Sequence, residues 1–172
     1  MTNLEINQLL HERVTGLPLV KGGTALIDEE DYIRVRELSW TTNDRGYVVS
    51  WWRKEGKKGC IYLHALIMET PKGKHTDHKN HNKLDNRKVN LRICTQAENT
   101  RNRQILPGFR SKFKGVTKDK NRNGWRASIY HLGKNIYLGT FDNEIDAAKV
   151  YDEKAKELFK EFACINFTQE GV

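Results

Sequence analysis

The chain has 172 residues, with 30 Lys and Arg against 22 Asp and Glu, for a formal net charge of +8. That length holds one ordinary domain or two small ones, and at 37% hydrophobic and 30% charged residues it is too apolar to be disordered throughout. No apolar run approaches the ~18–20 residues that span a bilayer, and the opening MTNLEINQLLHER lacks the basic-then-apolar order of a secretory signal.

From the N-terminus, TALID reads as a strand. DEEDYIRVREL reads as a helix, with acids at its positive end and Tyr32, Val35 and Leu38 at helical spacing. GYVVSWWR is β-branched and aromatic, hence a strand. Trp51 and Trp52 are adjacent, so one is expected to face the core and the other solvent. CIYLHALIMET begins as a strand and becomes a short apolar helix ending before Pro71. The three cysteines, Cys60, Cys94 and Cys164, form no C-x-x-C pair. They read as small hydrophobes in a reducing cytoplasm, with no zinc ribbon and no disulfide framework.

Charge is unevenly placed. Residues 1–70 carry nine bases against ten acids, 71–126 sixteen against four, and 127–172 five against eight. The basic middle is the footprint expected of a chain that neutralises phosphates, so nucleic acid is the expected partner, either double-stranded DNA or, as a rival, RNA.

Within that middle, HTDHKNHNKLDNRKVNLRICTQAENTRNR gathers imidazoles, amides and bases with little apolar content. It is either a solvated loop or an active site. Asp77 offers a carboxylate that suits a hard divalent cation, and His78 an imidazole suited to taking a proton near neutral pH. Adjacent strand residues point to opposite faces, so the two share a substrate only where the strand ends and the chain turns. Thr95 and Glu98 make a capping box, which starts a helix at Gln96. Asn99, in or just past its first turn, can supply a second oxygen to the ion. Asn86 and Asn90 suit tight turns and are expected to hold the loop closed. The interspersed Lys and Arg are expected to meet phosphate. His75 reads as a polar loop residue, and His11 and His131 as structural or solvated.

LHALIM … DHKNHNKLDNRKVNLRICTQAENTRN, from about Leu63 to Arg103, resembles the HNH nucleases, specifically the phage-type HNH homing endonucleases without a zinc ribbon. The resemblance implies a ββα-metal fold and one divalent ion, Mg²⁺ or Mn²⁺, held by Asp77 and Asn99. It implies His78 as the base that activates water, and products with 5′-phosphate and 3′-hydroxyl ends. Asn90 becomes the structural asparagine of the motif. His64 matches the histidine that precedes the motif in relatives, where the next residue is often Arg; here it is Ala65. Relatives often have Gly where this chain has His81.

After a basic linker containing Pro107–Gly108, a second module begins. FKGVTKD reads as a strand and turn, and GWRASIYHLGKNIYLGTF as two strands about a turn at His131–Asn135. DNEIDAAKVYDEKAKELF reads as a helix capped by Asp142 or Asn143. Ala147, Ala148, Tyr151, Ala155 and Leu158 fall on one stripe, and Asp152 and Lys156 sit i,i+4 on the other face. The segment Phe113–Phe167 is similar to the DNA-binding domain of the Apetala/ethylene-response-factor type, through K-G-V, W-x-A-x-I, Y-L-G-T-F, A-A-x-x-Y-D and I-N-F. The resemblance implies a sheet that lies in the major groove, read through Lys114, Thr117, Ser128, Tyr130 and Tyr137, with Lys118, Arg122, Trp125 and Arg126 beside them. Plant relatives carry arginines at several of these positions, so their target sequence does not transfer.

The expected architecture is therefore α+β: a ββα-metal module followed by a three-stranded antiparallel sheet packed on one helix. The nuclease domain covers 1–106, with a lead-in over 1–62 and the motif over 63–103; the linker is 107–112 and the DNA-binding domain 113–167. The expected function is that of a metal-dependent endonuclease of the homing type, nicking or cutting both strands, as a monomer or weak dimer, in the cytoplasm of a bacterial or phage-infected cell. The alternative is a DNA-binding regulator that keeps the scaffold without the chemistry.

Overall fold

Val14–Pro18 (β1) and Thr24–Asp28 (β2) pair as an antiparallel hairpin in the computed structural model, which describes residues 13–103, 111–119 and 123–167. The chain divides into two compact units, Met1–Gln96 and Ala97–Val172. The division falls earlier than the expected linker, of which residues 107–110 lie outside the described residues, as do His11 and Arg122.

In the first unit β2 leads into a 3₁₀ turn, Glu29–Asp31, and a four-residue helix, Tyr32–Val35 (α1). The helix is shorter than its periodicity predicts. Trp40 is buried and donates its indole N–H to the Val35 carbonyl at 2.8 Å. The indole takes a carbonyl that a longer helix would have used itself, and Leu38 is left exposed. Thr41–Thr42 (β3), Val48–Lys54 (β4) and Lys57–Tyr62 (β5) form an antiparallel sheet in the order β3-β4-β5, and Leu63–Ile67 (α2) follows directly. Leu17, Ala25, Ile27, Val35, Trp40, Val48, Leu63, Ile67 and Leu91 make one core cluster.

Only the first half of β4 reaches that core. Val48, Val49 and Ser50 are buried, whereas Trp51 and Trp52 are 62% and 45% exposed. The expectation that one tryptophan would be buried is therefore corrected: the β4–β5 ribbon runs past the core, so both of its faces meet solvent.

His75–His78 (β6) and Leu91–Cys94 (β7) form a separate two-stranded sheet. The loop between them is tied to the edge of β2. Leu26 N–H donates to the Leu84 carbonyl at 2.7 Å and Asn86 N–H to the Leu26 carbonyl at 2.8 Å. Lys88 N–H reaches Asp28 Oδ2 at 2.7 Å, and its ammonium bridges Glu30 and Asp31 at 2.6 and 3.2 Å.

The second unit begins in Gln96–Arg101 (α3) and contains Val116–Lys118 (β8), Trp125–His131 (β9) and Lys134–Phe141 (β10), in the sheet order β10-β9-β8. Glu144–Phe159 (α4) backs this sheet. Asn143 caps α4, accepting from Asp146 N–H at 2.8 Å. Ala147, Ala148 and Ala155 are fully buried, which lets helix and sheet approach closely. Gly115 (φ +76) lies against the Tyr151 ring, where a Cβ would come within 1.9 Å of a ring carbon. The K-G-V glycine is therefore required on both conformational and spatial grounds. Gly139 (φ +136) sits at the register shift that bends β10.

The face of α4 opposite its apolar stripe is covered at Asp152, which is 5% exposed. Its carboxylate accepts from Asn166 N–H at 2.8 Å and Phe167 N–H at 2.9 Å. Helical spacing places it beside Lys156, but the returning C-terminal segment covers it.

Candidate active site

Asp77 and His78 are the last two residues of β6, and both are buried. Arg92 lies directly opposite Asp77 in the β6–β7 ladder and donates Nε and Nη2 to Asp77 Oδ2 at 2.9 and 2.7 Å. The guanidinium fixes the orientation of the carboxylate and offsets its burial. Arg92 was expected to meet phosphate; the ladder register assigns it to Asp77 instead. Arg87 likewise forms a bidentate pair with buried Asp85 at 2.7 Å per contact, holding that carboxyl below its usual range.

Asn86 is wholly buried, and its side chain decides the tautomer of His78. Its Nδ2 donates to the Lys83 carbonyl at 3.1 Å, so its Oδ1 is the atom that faces His78 Nε2, at 3.4 Å. An oxygen accepts only, so Nε2 carries the proton and Nδ1 carries the lone pair. Burial is the largest influence on His78 and lowers its pKa below the ordinary 6.5, against the opposing pull of Asn86, Asp77 and Asp85. The imidazole is thus a neutral base with its basic nitrogen selected by Asn86.

Asn90 bridges two parts of the loop: its Nδ2 donates to the Asp85 carbonyl at 2.8 Å and its Oδ1 accepts from Asn80 N–H at 3.0 Å. His81 has φ +63, in the left-handed region. At that φ a residue with a Cβ costs about 1–2 kcal/mol.

His64 is the second residue of α2 and is buried beside His78, with ring centroids 5.1 Å apart. Tyr47 and Tyr62 complete an aromatic wall at 5.4 and 5.3 Å from the His64 ring. Burial pulls the His64 pKa down to about 3, so it adds no charge next to His78. Sequence reasoning missed Tyr47, Tyr62 and the pairing of Arg92. No local spacing signals the tyrosines, which come from β4 and β5 neighbourhoods; the N-L-R order contains Arg92 but not its partner.

Asn99 lies within α3 and is half-buried. Among the described residues no cluster of three or more His, Cys, Asp or Glu could hold a metal.

On the second unit, β9 alternates cleanly. Arg126, Ser128 and Tyr130 face outward, and Ala127 and Ile129 are buried. Trp125 falls on the inner row, packed against the core, with the Lys118 ammonium 4.8 Å above its ring. Expected beside the reading residues on the DNA-facing side, it instead faces the core. Thr117 is exposed opposite Arg126. The Arg126 guanidinium lies 5.6 Å from the Tyr137 ring centroid and 3.3 Å from Asp119 Oδ2. Lys114 is half-buried and its ammonium is bound to main-chain carbonyls, so the outer face leaves Thr117, Arg126, Ser128, Tyr130 and Tyr137, with Lys118 at its edge.

A family model described as HNH endonuclease matches residues 63–101. An uncharacterized HNH endonuclease of Acanthamoeba polyphaga mimivirus is 33% identical over 149 residues, which is 85% of this chain and 76% of that protein. The chain belongs to the HNH endonuclease family. In this HNH endonuclease the matched segment runs from the first residue of α2 to the last of α3, and so contains His64, Asp77, His78, Asn86, Asn90 and Asn99. An AP2-like ethylene-responsive transcription factor of Arabidopsis thaliana and an APETALA2-like protein of Oryza sativa are each 39% identical over 57 residues. That is 33% of this HNH endonuclease but only 12% and 13% of those proteins. The solved HNH homing endonuclease I-HmuI is 22% identical, covering 51% of this chain and 56% of its own, with a TM-score of 0.33. No described helix is long and apolar enough to cross a membrane.

Proposed function

We propose that this HNH endonuclease hydrolyses DNA phosphodiester bonds with one divalent ion, Mg²⁺ or Mn²⁺, held by Asp77 and Asn99, and with His78 as general base. The observation that carries this reading is the buried Asp77–His78 pair at the end of β6, with Arg92 orienting the first and Asn86 the second. A carboxylate and an amide oxygen suit a hard cation that keeps most of its waters. Bound there, such an ion supplies Lewis-acid stabilisation of charge on the phosphate and the leaving 3′ oxygen. His78 Nδ1 takes the proton of the attacking water while Nε2–H stays on Asn86 Oδ1. His64, Tyr47 and Tyr62 keep one side of the base dry and uncharged.

The nuclease part covers 1–106, and 113–167 is an Apetala/ethylene-response-factor type module that locates the site through Thr117, Lys118, Arg126, Ser128, Tyr130 and Tyr137. The plant likenesses and the outward row of β9 support this. A single active site per chain favours nicking, with double-strand cutting by a weak dimer or in two steps, as a homing-type enzyme of a bacterial or phage-infected cytoplasm.

The test is a supercoiled plasmid incubated with Mg²⁺ or Mn²⁺, with and without EDTA. Nicking that requires the ion supports the reading; tight binding without any cleavage under all ions favours the regulator. In single-turnover nicking the rate should rise with pH as His78 loses its proton, and level off above its pKa. Because burial lowers that pKa, the midpoint should lie below 6.5. A midpoint at or above 6.5 contradicts the role given to His78.

For the second module, Arg126→Ala combined with Tyr137→Ala should weaken DNA binding in EDTA by about tenfold or more. Nicking of excess non-specific DNA should remain within a few-fold. Equal binding by both proteins in a gel-shift assay removes the division of labour.

A further inference from the structure

Lys114 is a residue that the plant-domain resemblance assigns to DNA, but its ammonium is engaged elsewhere. Nζ donates to the Arg101 carbonyl and, at 2.7 Å, to the Arg103 carbonyl. Arg101 is the last residue of α3, and Arg103 lies just beyond it. A helix end leaves carbonyls without intrahelical partners and favours a cation. Desolvation lowers the pKa of this lysine, in keeping with a place away from bulk water.

The backbone of Lys114 is clamped in turn. Its N–H donates to Asn166 Oδ1 at 2.6 Å and its carbonyl accepts from Asn166 Nδ2 at 3.2 Å. Asn166 is held by buried Asp152 of α4, through Nδ2 and N–H at 2.8 Å each. A second tie runs from α3 to α4 directly: the Arg101 guanidinium lies 5.0 Å from the Phe159 ring centroid. The end of α3 is therefore fastened at two points to the sheet-and-helix module. α3 has six residues, too few for a helix to be stable by itself, so its placement depends on such ties. Asn99 sits two positions before Arg101 in that helix.

We infer that Lys114 is a positioning residue for Asn99: it fastens the end of α3, the helix that carries Asn99, to the sheet and helix of the second unit. This rests on the reading of Asn99 as a metal ligand.

The test uses the full chain. Mn²⁺ affinity is read from the free-Mn²⁺ electron paramagnetic resonance signal, the α3 amides by hydrogen exchange, and DNA binding by gel shift in EDTA. Lys114→Met should weaken Mn²⁺ binding by about tenfold, the range seen when support for a metal ligand is removed. It should also speed exchange at Asn102 and Arg103 N–H, which donate to the Glu98 and Thr100 carbonyls at 3.2 Å. DNA binding in EDTA should stay within about twofold, since the ammonium is already engaged, by the net effect expected of an uninvolved cation. Lys114→Arg, which keeps a cationic donor, should restore most of the Mn²⁺ affinity. If Lys114→Met unfolds the second unit, Arg101→Gln breaks the other tie and is read by the same Mn²⁺ and exchange measurements. Unchanged Mn²⁺ affinity overturns the inference whether or not DNA binding falls. Failure of the nuclease reading looks different: the wild-type chain then neither binds Mn²⁺ nor cleaves, while the exchange change at α3 persists in the variant.

Discussion

His78→Ala should reduce ion-dependent nicking by about 10²–10⁴-fold, the range a positioned general base contributes, while DNA binding in EDTA stays within twofold. The structural reason is specific. His78 is buried at the end of β6, and Asn86 Oδ1 accepts from its Nε2, so the base proposed above acts through Nδ1. The measurement is single-turnover nicking of supercoiled plasmid at saturating enzyme. A variant that nicks as fast as wild type removes His78 from the chemistry. His64→Gln provides a useful contrast, because His64 is uncharged near neutral pH and stands beside the base. It should lower the rate by much less than His78→Ala and should not abolish the pH dependence.

Arg92→Met should destabilise the first unit by on the order of 3 kcal/mol, because it leaves the Asp77 carboxylate buried without its guanidinium. The two side chains are 12% and 9% exposed and meet directly across the β6–β7 ladder, so solvent screening offsets little of the loss. Urea unfolding in EDTA measures this without a contribution from bound ion. The proposed ligand role of Asp77 adds a second outcome: Mn²⁺ should recover part of the lost stability, because an ion on Asp77 replaces some of the missing positive charge. A loss under about 1 kcal/mol in EDTA would mean that the pair contributes no more than an exposed salt bridge does.

Both variants act at contacts between β6 and its surroundings, and the two were unequally visible in the sequence. Asp77, His78 and Asn99 stood out because their chemistry and spacing lie within one short segment. The general location of the strands followed from β-branched and aromatic runs, and α4 from its alanine stripe and its asparagine cap. The pairing of Asp77 with Arg92 did not follow, because it depends on the β6–β7 register across a loop tied to β2. The same holds for Asn86. It was legible as a loop residue, but its contact with His78 Nε2 comes from how that loop folds back.

The misplaced residues share a cause. Trp51 and Trp52 alternate as strand residues should, but alternation buries a side chain only where a second layer covers that face, and β4 outruns the core. Trp125 was set beside the readers together with Arg126 through the resemblance, yet neighbours on a strand point to opposite faces. Asp152 was placed on the polar face of α4 by helical spacing; the segment that covers it arrives from 14 residues further along the chain.

By itself, then, the sequence determined the α+β class, the basic middle, the candidate metal and base residues, and the sheet-and-helix plan of the second module. Each depends on periodicity, charge or spacing within a few residues. The tertiary structure decided which nitrogen of His78 is basic, which arginine orients Asp77, and that Lys114 holds α3 rather than presenting its charge on the sheet face. Those depend on strand register and on contacts between segments as far apart as Lys114 and Asn166, 52 residues. Local rules constrain the backbone conformation of each segment, but the partner of a buried charge is chosen only when the segments meet.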